Sequence, residues 1–404
     1  MFLLAALLTI SAVADTVPSP MVRGGEVGAV RDAAVVLHRQ PETGLVSLRL
    51  SVLANDPPGY AGAGHLIQHL LYPGLRDRAE RVGGRLQIQR TSDAIVYTAT
   101  GPAAELSYLA ELLRSALRPP IPTDDAVLRA ERELREERLA EWETAPSHTR
   151  SMLRAQLFPN DVSAAGTDRA ATRYSPSSLP RAWAAMYRPD RVCVVAVGDV
   201  YLADVQRAFA DLPEPDPVDE LEIRRDSIVL GALAPPQATR AWLGAAYLAT
   251  DLEPAAVTVT ARLLGDLLRR RFPNAQVDAE HWWTHHGQAL ALIMALPGSE
   301  MDAGRRALGT SVATLLDDVD EAAVAAAAQA IRREMLFYAR TPERMAEVIG
   351  QFVDREGDPN AAERFYAALA ALEVDQVEEV LERLLERTPA RVETPPQELQ
   401  QRRR

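Results

Sequence analysis

The chain contains no lysine: all 44 of its basic residues are arginine. We read that as coding bias or a surface habit, not as a site. Its one cysteine, Cys193, lies inside an apolar run, so no internal disulfide is available and core packing must supply the stability. Positive charge is also short, since 44 basic against 56 acidic residues leave a formal net charge of -12. Nothing in that balance would neutralise phosphates, which excludes a nucleic-acid partner. Beyond the N-terminus no apolar run is long enough to span a bilayer. What is there is a globular composition, 47% hydrophobic and 25% charged over 404 residues. That length favours two domains over one.

The first fourteen residues, MFLLAALLTISAVA, form an apolar run ending in Ala12-Val13-Ala14. A short apolar stretch with a small-x-small end reads as a signal peptide, so the expectation is an exported protein, periplasmic or secreted. No Arg or Lys precedes the run, and the structural alternative is a buried N-terminal strand or helix. Without a cysteine near the cleavage point, a lipoprotein anchor is excluded.

The rest divides into two halves of similar plan. In the first, residues 32–40 and 45–54 alternate like strands, a helix begins near Gly64, and QIQRTSDAIVYTATG (87–101) reads as a hairpin. Helices are predicted over 103–117 and 124–143, punctuated by Pro119, Pro120 and Pro122. RVCVVAVGDV (191–200) is apolar almost throughout, as a central strand covered on both faces would be. DLPEPDPVDE (211–220), rich in proline and acid, marks a linker. The second half repeats the order: strand 240–249, helix 254–271, strand 288–297, helices 301–317 and 320–340, and a closing helix within 367–386. The predicted fold class is α+β, with two similar domains each built as a mainly antiparallel sheet packed with helices. The expected boundaries are a signal peptide over 1–14, an N-terminal domain over 15–210, a linker over 211–225, a C-terminal domain over 226–387 and a disordered tail over 388–404.

One constellation has catalytic potential. In AGAGHLIQHLLYPG (61–74), His65 and His69 are four apart, so on a helix they leave from one face and can share a metal ion. Spacing alone leaves ligand and satisfied structural histidine both open. His281 and His285 in HWWTHH have the same spacing, but no helical face is evident there, and a strand or loop surface is expected.

The sequence around the first pair resembles the zinc motif of the insulinase/pitrilysin (inverzincin) metallopeptidases, H-x-x-E-H, here His65-Leu66-Ile67-Gln68-His69. AERELREERLAEWE (130–143) with AQLFP (155–159) is similar to the family's later acidic helix and the element after it. Residues 173–200 resemble the closing segment of the first domain. The likeness covers nearly the whole mature chain and fits best the short-subunit branch similar to mitochondrial processing peptidase, where one chain supplies two domains and a partner two more. It implies a zinc site completed by a third ligand, a glutamate on that acidic helix. Counting back from Phe158 lands on Glu137, and counting forward from Glu131 lands on Arg138. Helical geometry favours Glu137, which shares the side of Val127, Ala130 and Leu134, whereas Glu136 falls on the polar side.

The sequence also departs from that family. The motif glutamate takes a proton from the metal-bound water, and Gln68, its amide isostere, cannot. No nearby acid is an obvious substitute. The resemblance further implies a substrate-gripping arginine and, seven residues on, a tyrosine in the second domain. Arg269 stands at the first position, where a helix-end cation is the structural alternative, and Gln276 at the second. The leading expectation is therefore a non-catalytic or crippled peptidase-like subunit that forms a peptide-binding chamber with a catalytic metallopeptidase partner, with zinc held or absent. A free-standing envelope binding or scaffold protein and a weakly active metallopeptidase are the alternatives.

Overall fold

The computed structural model describes residues 25–54, 62–158, 174–212, 238–285 and 287–398. The signal-peptide segment and nearly all of the expected linker lie outside the described residues.

Strands β1 (Gly25–Val30), β2 (Ala33–Arg39), β3 (Leu45–Leu53), β4 (Arg85–Arg90), β5 (Ala94–Pro102) and β6 (Val192–Gly198) make one sheet in the order β1-β2-β6-β3-β5-β4. Every pairing is antiparallel except β2 with β6, and helices α2 (Leu106–Ala116), α5 (Leu179–Met186) and α6 (Leu202–Ala208) belong to the same half. The apolar run predicted to be a covered central strand is β6, and all seven of its residues are buried. Strand side chains alternate between faces, and β6 divides accordingly. Val192, Val194 and Ala196 enter the core of the first half, while Cys193, Val195 and Val197 join a core built mainly from the second half. Burial pushes the Cys193 thiol up to about 12, so this cysteine is a packed apolar group.

The second sheet has four strands, all antiparallel: β7 (Ala241–Leu248), β8 (Gln276–Thr284), β9 (Gly287–Leu296) and β10 (Ala390–Thr394), in the order β10-β7-β9-β8. Its helices include α7 (Pro254–Arg271), α8 (Met301–Asp318) and α9 (Glu321–Tyr338). All three are close to the ranges predicted from periodicity. Together the two sheets with their helices make the α+β, two-domain architecture of the sequence reading.

Two features differ from that reading. The tail expected to be disordered from Thr388 contributes β10, which pairs with β7 from Ala390↔Ala246 to Thr394↔Trp242. Val392 is buried there, and Glu393 is ion-paired with Arg305 at 2.7 Å. ARVET offers only Ala390 and Val392 as apolar side chains, too short an alternation to read as a strand. The closing helix is two helices, α11 (Ala361–Ala370) and α12 (Val374–Leu385), separated by a capping box of Glu373 and Gln376.

The halves are also not self-contained. Helix α4 (Ala145–Leu157) of the first half packs on β7, β9 and β10 of the second sheet. It comes so close that a Cβ on Gly244 would sit 2.7 Å from Leu153 and 2.8 Å from Thr149. Conversely, α10 (Pro342–Glu356) of the second half covers β3 and β6 of the first sheet. Its Asp354 makes a bidentate ion pair with Arg49 of β3, both side chains being almost wholly buried. Gly350 leaves room for the guanidinium, which a Cβ would strike. Removing one partner of such a pair strands the other charge without water and costs about 3–5 kcal/mol.

Candidate metal centre

Helix α1 (Ala63–Glu80) starts after Gly62, whose left-handed backbone (φ 85°) turns the chain into the helix. Leu66 and Ile67 are fully buried and anchor it to the first core. With those residues inward, the 3.6-residue repeat puts His65 and His69 together on a half-covered face. Their ring centroids are 5.0 Å apart, the planes stacked at 26°. Helix α3 (Asp124–Glu143) is capped by Thr123, whose side chain accepts from the Ala126 amide. It lies against α1, and its Val127, Ala130 and Leu134 are buried in the first core. That is the side of α3 predicted to carry the third acid.

The two helices bring His65, His69 and Glu137 to one point. Glu137 Oε2 lies 3.1 Å from His65 Nε2 and 3.4 Å from His69 Nε2, and one ligand atom from each of the three residues falls within 4.8 Å of the others. Two imidazoles and a carboxylate are donors that suit zinc. Ligand atoms held tetrahedrally at about 2.1 Å from such an ion are separated by roughly 3.4 Å. The donor set therefore fits a metal in type, and both carboxylate-to-imidazole separations are near that value. One buried polar atom at this place, His69 Nε2, has no hydrogen-bond partner. Among the described residues, no other group of histidine, cysteine and carboxylate side chains has this convergence. Of the positions open in the sequence, Glu137 is the one whose carboxylate meets both imidazoles.

Gln68 lies between the histidines in sequence, with its amide nitrogen donating to the Ile88 carbonyl of β4 at 3.2 Å. Since β4 is the edge strand of its sheet, the side chain ties the histidine helix to that edge. A carboxylate could not make this bond, having no hydrogen to give.

An acid that the sequence reading missed does come close. Glu133 Oε2 is 3.2 Å from His69 Nδ1, on the ring nitrogen that faces away from Glu137. Glu133 and Glu137 are four apart on α3 as His65 and His69 are on α1. The matched spacings were the available signal. Glu131, the other acid weighed in aligning this helix, accepts instead from the Tyr174 backbone amide at 2.9 Å.

The second histidine pair is not a metal site. His281 is satisfied on both nitrogens, by Thr258 Oγ1 at 2.8 Å and Gln288 Oε1 at 2.7 Å. Burial lowers its pKa to about 4, against the raising effect of the Gln288 bond. His285 lies at the next turn, its Nδ1 3.1 Å from the Arg355 carbonyl and its backbone amide donating to Asp93 at 2.7 Å. The contacts of Arg269 and Gln276 are likewise local. Arg269 bonds Asp266 at 2.8 Å and the Val277 carbonyl at 3.1 Å, and Gln276 donates to Asp278 at 3.3 Å.

No protein-family model and no curated protein matches the sequence. Solved structures do match. A protease from Helicobacter pylori superposes with a TM-score of 0.78 at 15% identity, covering 92% of this chain and 99% of its own. An M16 peptidase inactive domain from Pseudomonas fluorescens gives 0.74 at 15% identity over 92% and 98%. A putative M16-like peptidase from Alicyclobacillus acidocaldarius gives 0.75 at 14% over 92% and 98%. The fold of this chain is thus that of M16-like peptidases, the insulinase/pitrilysin fold that the motif resemblance implied.

Proposed function

We propose that this chain is a non-catalytic or severely crippled metallopeptidase-like subunit. In this reading it holds a zinc ion on His65, His69 and Glu137 and contributes a wall and peptide contacts to a chamber completed by a catalytic partner chain. The observation that carries the reading is Gln68. In a hydrolytic centre of this design a bound zinc acidifies water and polarises a peptide carbonyl. The adjoining side chain must then accept a proton and hand it to the leaving amine. Gln68 cannot accept one, and one of its amide hydrogens is engaged with Ile88. Glu133 does not replace it, because its carboxylate is engaged at His69 Nδ1. The proton-transfer contribution that is lost is about 100- to 10,000-fold.

Export is part of the same proposal and rests on the first fourteen residues. No described helix is long and apolar enough to cross a membrane. The local engagement of Arg269 and Gln276 favours a second reading, in which the chain is a free-standing envelope binding or scaffold protein without a peptide grip.

The test pairs metal analysis with peptide cleavage by the wild type and Gln68→Glu. The expected result is about one zinc per chain, negligible hydrolysis by the wild type and a partial gain in the variant. Robust wild-type cleavage abolished by a chelator overturns the non-catalytic assignment. Co-purification with a chain carrying an intact H-x-x-E-H selects the subunit reading over the scaffold one.

A further inference from the structure

We infer that Glu133 is a positioning residue for this centre, holding His69 in the tautomer that turns its Nε2 lone pair toward His65 and Glu137. The inference rests on the metal reading above. A neutral imidazole has one N–H and one lone pair, and only the lone pair can bind a metal. His69 has a carboxylate near each nitrogen, Glu133 at 3.2 Å from Nδ1 and Glu137 at 3.4 Å from Nε2. The two contacts are not equivalent. The one at Nδ1 has hydrogen-bond geometry, whereas Nε2, although buried, has no hydrogen-bond partner. The ring proton therefore belongs on Nδ1, donated to Glu133, and Nε2 is left as the acceptor at the convergence point.

Three features separate this role from packing or proton transfer. Glu133 is about half exposed, at 48%, so it fills no part of the core. It stands one helical turn before Glu137 and acts from the far side of the ring, where it touches neither the convergence point nor Gln68. A carboxylate behind a ligating histidine fixes its orientation and raises its basicity, and losing such a partner weakens metal binding about 10- to 100-fold.

The experiment uses the full chain as wild type, Glu133→Ala and Glu133→Gln. The His69 tautomer is read from ring nitrogen shifts in the metal-free protein at about pH 8, where an ordinary imidazole is neutral. Zinc affinity is read by competition with a chromophoric chelator. The wild type is expected to show the Nδ1–H form. Glu133→Gln should resemble it, because the amide oxygen still accepts that hydrogen. Glu133→Ala should lose the preference and bind zinc about 10- to 100-fold more weakly. An unchanged tautomer in Glu133→Ala overturns the inference, as does unchanged zinc affinity. A Glu133→Gln variant as impaired as Glu133→Ala also overturns it, by making charge and not the hydrogen bond the cause. A wild type that takes up no zinc refutes the metal reading alone, and the metal-free tautomer then decides the role of Glu133.

Discussion

The chain has two histidine pairs with the same four-residue spacing, and they end in opposite circumstances. His65 and His69 are on a helix, where four residues advance the chain only about 6 Å and bring it back to the same face. His281 and His285 begin within β8 and end beyond it, and four residues of strand cover roughly 13 Å. The first pair converges on a carboxylate from a second helix and leaves His69 Nε2 buried without a hydrogen-bond partner. The second is split between a fully satisfied core histidine and a turn residue that holds two hairpin tips together through Asp93. A sequence spacing becomes a site only through the element that carries it. In this chain the pair on the helix meets a carboxylate from a second helix, and the pair on the strand does not.

The largest expected effect contrasts the two pairs directly. Glu137→Ala should weaken zinc binding by more than about 100-fold, beyond what loss of an outer partner costs. His281→Gln should leave zinc affinity unchanged. Equal loss in both variants, measured by chelator competition, would remove the distinction.

Next in size is acid stability. His281 is held neutral by burial, with its pKa lowered to about 4, against roughly 6.5 in an unfolded chain. A group depressed in the folded state stabilises fully above the unfolded value, and that contribution is lost as pH falls from about 6.5 through about 4. Its full size is roughly 3 kcal/mol. Chemical denaturation across this range should show the slope in the wild type and lose most of it in His281→Gln. A slope of equal size in the variant would assign it to other groups.

The smallest effect sharpens the account of Gln68. Replacing it by Glu removes the hydrogen bond to Ile88 and sets a carboxylate against a carbonyl, for about 1 kcal/mol of lost stability in metal-free protein. Gln68→Ala, which leaves the Ile88 carbonyl unpaired, should cost a similar amount. A Gln68→Glu chain as stable as the wild type would mean that the tether to the sheet edge contributes nothing.

Much of this was legible in the residues themselves. The run Val192–Gly198 is apolar at every position and is the central strand. Pro254–Arg271 and Asp124–Glu143 have helical periodicity and boundaries at the expected residues. His65 and His69 could be paired because helical repeat fixes which side chains share a face, whereas Glu137 was named through the family resemblance, which implies an acid on that helix. The matched four-residue spacings pointed to Glu133, but which ring nitrogen it meets was fixed only by the docking of α1 against α3. The strand at Ala390–Thr394 was invisible because an edge strand with one inward valine is specified by its neighbour β7 and hardly by its own pattern.

By itself, then, the sequence determined most of the elements, the pairing of His65 with His69, and the amide at position 68, since periodicity and chemical identity are local properties. Tertiary structure alone decided that α4 and α10 cross to the opposite sheets and that Arg49 meets Asp354. It also decided which carboxylates face which ring nitrogens. Those outcomes depend on contacts between residues up to 305 positions apart, and such contacts follow from how whole surfaces pack, which no local pattern encodes.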